Sequence, residues 1–230
     1  MELTKGRGLS SNALKIIAII SMTCDHAAKM FAPDCMPLLI IGRLAFPIFA
    51  YMIAEGCAHT RSKGRYFARM AIFAVVCQLA YSFFTGSLYM CILVTFTMSI
   101  GLIILLDNAA HSKKPADIAA AAAGFALCIF ICTARLHIFK GTDFDIDYRL
   151  LGVLLPVAVY LSPKKWQKLG FMATITLAMD FYLQKYALLA LIPLALYSGR
   201  RGKAKLKYLF YIYYPLHLLA IELIYMLSRS

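Results

Sequence analysis

Along most of this chain the polar residues come in short clusters, and the stretches between them are almost wholly apolar. Nine such stretches are long enough, or nearly so, to cross a bilayer: 12–31, 36–57, 66–84, 88–106, 116–134, 148–162, 166–182, 184–198 and 207–227. The segments 148–162 and 184–198 are short, which predicts tilted or partial spans. The pattern predicts an all-α fold, a polytopic integral membrane helical bundle of about nine transmembrane segments. It also predicts a single membrane-embedded domain over 1–230.

Composition agrees: 62% of residues are hydrophobic and the mean hydropathy is +0.73, which excludes an ordinary soluble globule. The net charge of +13 would suggest nucleic acid in a soluble domain. Here the cations sit in short loops between apolar runs, where they set topology and meet anionic headgroups, so no nucleic-acid partner is expected and the lipid bilayer is. The seven cysteines are scattered without metal-ligand spacing, and no metal is expected. Lys5 and Arg7 before the first apolar run resemble a signal sequence, but the run is broken by Asp25-His26 and long enough to stay in the membrane as an anchor.

The loop charges alternate. One side receives Lys5, Arg7, Lys15, Arg61, Lys63, Arg65, Arg69, Lys113, Lys114, Lys164, Lys165, Lys168, Arg200, Arg201, Lys203, Lys205 and Lys207. The other receives Lys29, Arg135, Lys140, Arg149, Lys185 and Arg229, about 17 against about 6 with Arg43 left inside a span. The positive-inside rule then predicts a cytoplasmic N-terminus, an outer C-terminus and a plasma or inner membrane location.

Ionisable groups inside spans mark candidate chemistry, since each costs about 2.5–3.5 kcal/mol on insertion scales. Lys15 and His26 are 11 residues apart, about 16 Å of rise and three turns, so they share one helix face. Asp25 adjoins His26. Arg43, at a similar depth in the second segment, reads as a site residue or as the counter-ion of Asp25, with Pro47 expected to bend the helix and Glu55 near the inner mouth. His217 lies about ten residues into the last segment, two after Pro215. These groups read either as buried ion pairs that fix helix packing or as a site that grips an anion at Lys15 and does proton chemistry at His26. The outer loop 135–147 holds Asp143, Asp145 and Asp147 at alternate positions. It reads as a solvated loop or as an electrostatic lure for a cationic acceptor.

LKIIAIISMTCDH, IGRLAFPIFAYMIAEGCAHT, DYRLLGVLLP, LALYSGRRG and FYIYYPLHLL, in that order over nearly the whole chain, resemble the TraX family of integral membrane proteins. The family's known activity is acetylation of the N-terminal residue of conjugative pilin, and it resembles transmembrane acyltransferases whose first core helix carries a basic residue, ten residues and then His. Lys15 and His26 match that pattern, with Lys where Arg is more usual. The resemblance implies an acetyl-CoA-dependent acyltransferase with a peptide or glycan acceptor on the outer side.

Resemblance and residue reading together give an expected mechanism. Lys15, Arg61, Lys63 and Arg65 form a basic mouth for the cofactor's phosphates. His26, oriented by Asp25 or Glu55, acts as general base on an amine or takes the acetyl group itself. Arg43 stabilises the oxyanion and His217 shuttles the proton. The alternatives are O-acetylation of a surface glycan, a transporter built around the buried charges, and a non-enzymatic membrane component of a conjugation machine.

Overall fold

The computed structural model describes residues 8–179, 182–202 and 207–229. Lys5, Arg7, Lys203 and Lys205, and positions 180–181 of the seventh segment, lie outside the described residues. Each of the nine expected segments is helical over at least part of its length. The elements are α1 (Ser11–Phe31), α2 (Met36–Gly42), α3 (Ala45–His59), α4 (Lys63–Thr85), α5 (Ile92–Ser112), α6 (Pro115–His137), α7 (Arg149–Leu161), α8 (Lys165–Ala178), a 3-10 helix (Gln184–Ala190) running into α9 (Leu191–Ala195), and α10 (Lys207–Arg229). Among the described residues there is no strand, and two isolated parallel bridges join Leu9 to Tyr197 and Met90 to Ile146. Among the described residues, four stretches are long and apolar enough to cross a membrane by length and composition: Met36–His59, Lys63–Thr85, Ile92–Ser112 and Pro115–His137. Several helices keep apolar side chains outward, among them Ile72, Val76, Leu79 and Phe83 on α4. The chain is a helical membrane bundle.

Local chemistry sets the helix ends. Ser10 caps α1 by accepting from the Ala13 amide at 3.2 Å, and Ser62 caps α4 by accepting from Arg65 at 3.3 Å. Gly86 ends α4 at φ +67°, the left-handed conformation that glycine adopts without strain. The second segment breaks at Arg43 and Leu44, between α2 and α3, rather than bending at Pro47. The physical reason is that Pro47 has no N–H to offer the carbonyl of Arg43, four residues back, so the ladder opens there.

The chain packs as two compact units, residues 1–52 with 165–230, and residues 53–164. In the first, α1 packs against α2 and α10, and α8 against the 3-10 helix and α9. Lys165 Nζ donates to the carbonyls of Ala195, at 2.5 Å, and Tyr197, at 2.8 Å, satisfying the end of α9. In the second, α5 is central, packed by α4, α6 and α7, with Phe96, Ile100, Ile103, Val153, Leu155 and Val159 buried.

Candidate functional site

In the first unit, α1 and α10 bring His26 and His217 together. His26 Nδ1 lies 2.8 Å from His217 Nε2, with ring centroids 5.1 Å apart and planes 20° from parallel. The His217 Nδ1 is 3.0 Å from the carbonyl oxygen of Tyr213, one turn back on α10. A carbonyl only accepts, so His217 Nδ1 carries a proton. With both rings neutral, His217 Nε2 is then an acceptor and His26 Nδ1–H donates to it. The proton of His26 is thereby held on Nδ1 and the lone pair falls on Nε2, which has no hydrogen bond among the described residues. The Tyr213 ring stacks on His217 at 5.2 Å and 5°. Thr23 Oγ1 spends its only proton on Ile19 O at 2.9 Å, so the Tyr213 hydroxyl must donate to Thr23 across 2.6 Å.

Asp25 is buried one position away from His26, and a step of about 100° around the helix aims it elsewhere. It accepts a hydrogen bond from Arg43 Nη2 and pairs with Lys29 Nζ at 2.6 Å. Arg43 reaches it because the break after α2 frees the side chain and because α1 and α2 touch at Gly42. A Cβ on Gly42 would fall 2.5 Å from Asp25 Cβ and 2.8 Å from its Cα. Arg43 Nε is buried with no hydrogen-bond partner among the described residues. Glu55, the other carboxylate considered for His26, lies in the second unit with His59 Nδ1 3.8 Å from its Oε2.

Lys15, half-buried on α1, shares its surroundings with the charge of Arg201. The loop that carries Arg201 is strapped to the start of α1. Leu9 N–H donates to Leu196 O at 2.9 Å, and Ser11 N–H to Arg200 O at 2.7 Å. Gly202, at φ +86°, packs closely there: a Cβ would fall 3.0 Å from the side chains of Ser10 and Asn12.

The other expected cations, Arg61, Lys63 and Arg65, belong to the second unit. Arg61 and Arg65 are exposed. Lys63 Nζ pairs with Asp107 and donates to Tyr160 Oη at 2.6 Å, while Tyr160 donates to Asp107 Oδ2 at 2.8 Å. Its ammonium is therefore committed to a network across α4, α5 and α7. Beside it lies a cleft of about 410 Å³ lined by Thr60, Arg61, Asn108 and His111.

At the opposite end of this unit, the three loop aspartates are engaged within the fold. Asp143 accepts from Ser87 Oγ at 2.5 Å and from the Leu88 amide at 3.2 Å. The Ser87 hydroxyl, then the Leu88 amide, hold its carboxyl below the usual aspartate value. Asp145 pairs with Arg135 at 2.9 Å and Arg149 at 2.8 Å. Burial pushes its carboxyl up, but the Arg149 and Ile146 hydrogen bonds and the Arg149 charge outweigh that and hold it low. Asp147 accepts from Tyr89 Oη at 3.0 Å. This loop is thus a clasp onto residues 87–90.

Sequence reasoning singled out His26, Asp25, Arg43 and His217 but missed Lys29, Thr23, Tyr213 and the Lys63–Asp107–Tyr160 network. Lys29 had a readable signal, four residues after Asp25 on one helix.

Residues 10–225 match the model of a family described as TraX protein. The chain is 27% identical over 247 residues to the probable fimbrial assembly protein FimC, serogroup H1, of Dichelobacter nodosus, an alignment covering 91% of this chain and 93% of that relative. No solved structure matches.

Proposed function

The chain belongs to the TraX family, and from that premise we propose that it is a membrane acetyltransferase with His26 as its catalytic base. In this reading it moves an acetyl group from cytoplasmic acetyl-CoA to an acceptor amine, such as the N-terminus of a pilin-like peptide, at or across the membrane. The N-terminus is cytoplasmic and the membrane is the plasma or inner membrane. A role in pilus or conjugation biology is supported by the name of the FimC relative, a probable fimbrial assembly protein.

The observation that carries the reading is the hydrogen-bond chain from the Tyr213 carbonyl through His217 to His26, which supports a lone pair on His26 Nε2. A base so oriented is what amine acylation needs. Acetyl-CoA supplies the acyl group as a thioester. His26 Nε2 takes a proton from the acceptor amine as its nitrogen bonds to the acyl carbon, then returns that proton to the departing thiolate. Arg43 Nε–H, buried without a partner among the described residues, suits an oxyanion at that carbon. Asp25 holds Arg43 in place and offsets its charge. Lys15 and Arg201, two like charges in one neighbourhood, favour a bound anion and suit the cofactor's phosphates.

The test is to incubate the purified chain in lipid nanodiscs with radiolabelled acetyl-CoA and a pilin-like peptide, with a surface glycan in parallel. Label should pass to the peptide. His26→Ala should lose about 10²–10⁴ in turnover while melting near the wild-type temperature on the same preparation. Absence of transfer by the wild type, or near-normal turnover in folded His26→Ala, would overturn the proposal.

A further inference from the structure

Gln184 is the residue of the first unit at which burial and hydrogen bonding disagree most. Its side chain is fully buried, at 0% exposure, yet neither Oε1 nor Nε2 has a hydrogen-bond partner among the described residues. A primary amide carries two donors and two acceptor lone pairs. Left unpaired in an interior it is less favourable than an apolar residue of the same shape, and native interiors rarely tolerate it. Beyond Lys185, the stretch YALLALIP is apolar.

The backbone gives a second observation. Residues Gln184–Ala190 form a 3-10 helix over seven residues, roughly twice the usual length of such a run. Its buried positions are Gln184, Ala187 and Ala190, three apart, which is the 3-10 repeat. An α-helical winding would carry position 190 about 120° away from position 184. The tight winding therefore keeps the amide in one buried stripe with two small residues. That stripe belongs to an element packed against α8, which buries Met172 and Thr176.

We infer that Gln184 is a binding residue for the amide backbone of a ligand. An anion has only acceptors to offer and would leave Oε1 unpaired, and a cation would leave Nε2 unpaired. An extended polyamide presents an N–H and a C=O along one edge, and a glutamine amide can meet both at once. Entry requires the segment to move, and a long 3-10 run with poorer hydrogen-bond geometry suits that. The acyl-transfer reading supplies two sources of such an edge, the peptide acceptor and the two amides of the pantetheine arm. The inference rests on that reading for those sources alone.

The experiment uses the full chain in lipid nanodiscs, with coenzyme A and trialanine amide as probes, and Gln184→Leu and Gln184→Met as variants. Calorimetric affinity and melting temperature are read together. Both variants should melt higher than wild type and lose about tenfold or more in affinity for one probe. The probe that is lost names the source. Unchanged affinity for both probes, absence of probe binding by the wild type, or lower melting with both probes weakened alike would each overturn the inference. Acetyl transfer is assayed separately. Transfer intact with probe affinities unchanged overturns this inference alone. Probe loss in Gln184→Met, in a chain that transfers no acetyl group, supports it while sinking the acyl-transfer reading.

Discussion

His217 Nδ1–H donates to the Tyr213 carbonyl at 3.0 Å, and so its Nε2 accepts from His26 Nδ1–H at 2.8 Å. The two contacts fix a direction as well as a distance. His217→Ala removes the acceptor and lets His26 rotate or change tautomer. Turnover should fall by about 10–100-fold, the cost of losing a partner that orients a functional imidazole. Tyr213→Phe keeps the carbonyl and the ring. It should turn over normally while losing about 1 kcal/mol of stability for the hydrogen bond to Thr23. Equal losses of turnover in both variants would show that the chain of protons does not matter.

Gly42→Ala tests the contact that brings Asp25 and Arg43 together. The new Cβ meets backbone at 2.8 Å, which no side-chain rotation relieves. Thermal unfolding should show a loss of about 1–3 kcal/mol, with turnover reduced as α1 and α2 part. Gly170→Ala on α8 is the control, since nothing lies within 4 Å of its added Cβ. It should gain about 0.5–1 kcal/mol from helix propensity.

Acid should open the clasp of the second unit. Asp143 and Asp145 are both held below 3.8, the ordinary value. A carboxyl depressed in the folded state contributes stability that is present above its unfolded pKa and lost as pH falls through the folded one. Melting temperature should therefore drop as pH is taken below about 4. The Asp143→Asn, Asp145→Asn double variant should melt lower at neutral pH and show a shallower acid limb. An identical acid limb in both proteins would assign the acid sensitivity to other groups.

Orientation can be read on the second unit alone. In a background without native cysteines, Cys placed at Thr142 should react with a membrane-impermeant thiol reagent in intact cells. One at Ser112 should be protected. The reverse pattern would invert the topology and, with it, the side from which the acyl donor arrives.

What the sequence made legible follows from what is conspicuous in an apolar run. Asp25, His26, Arg43 and His217 stand out because each is costly in a span, and all four meet in one unit. One pairing was legible, because a buried Arg in a span needs a counter-ion, and Arg43 does go to Asp25. The others were not, because a neighbour in sequence is not a neighbour around a helix: Asp25 also takes Lys29, while His26 goes to His217. Tyr213 escaped notice because it acts through its carbonyl, which every residue has. Lys63 read as a phosphate ligand because its partners, Asp107 and Tyr160, are 44 and 97 residues away. Asp143 read as bare charge for the same reason, with Ser87 lying 56 positions upstream. Pro47 marked the right helix, but its effect falls on the carbonyl four residues earlier.

The second unit is fastened at both ends. Lys63, Asp107 and Tyr160 join the start of α4 to the ends of α5 and α7. At the far end, Arg135 and Arg149 grip Asp145, while Met90 bridges to Ile146. A bundle pinned this way resists sliding of one helix along another, because both fastenings would shear together. Pulled from its termini, it should hold its length under rising load and then give way in a single rupture, with little gradual creep beforehand.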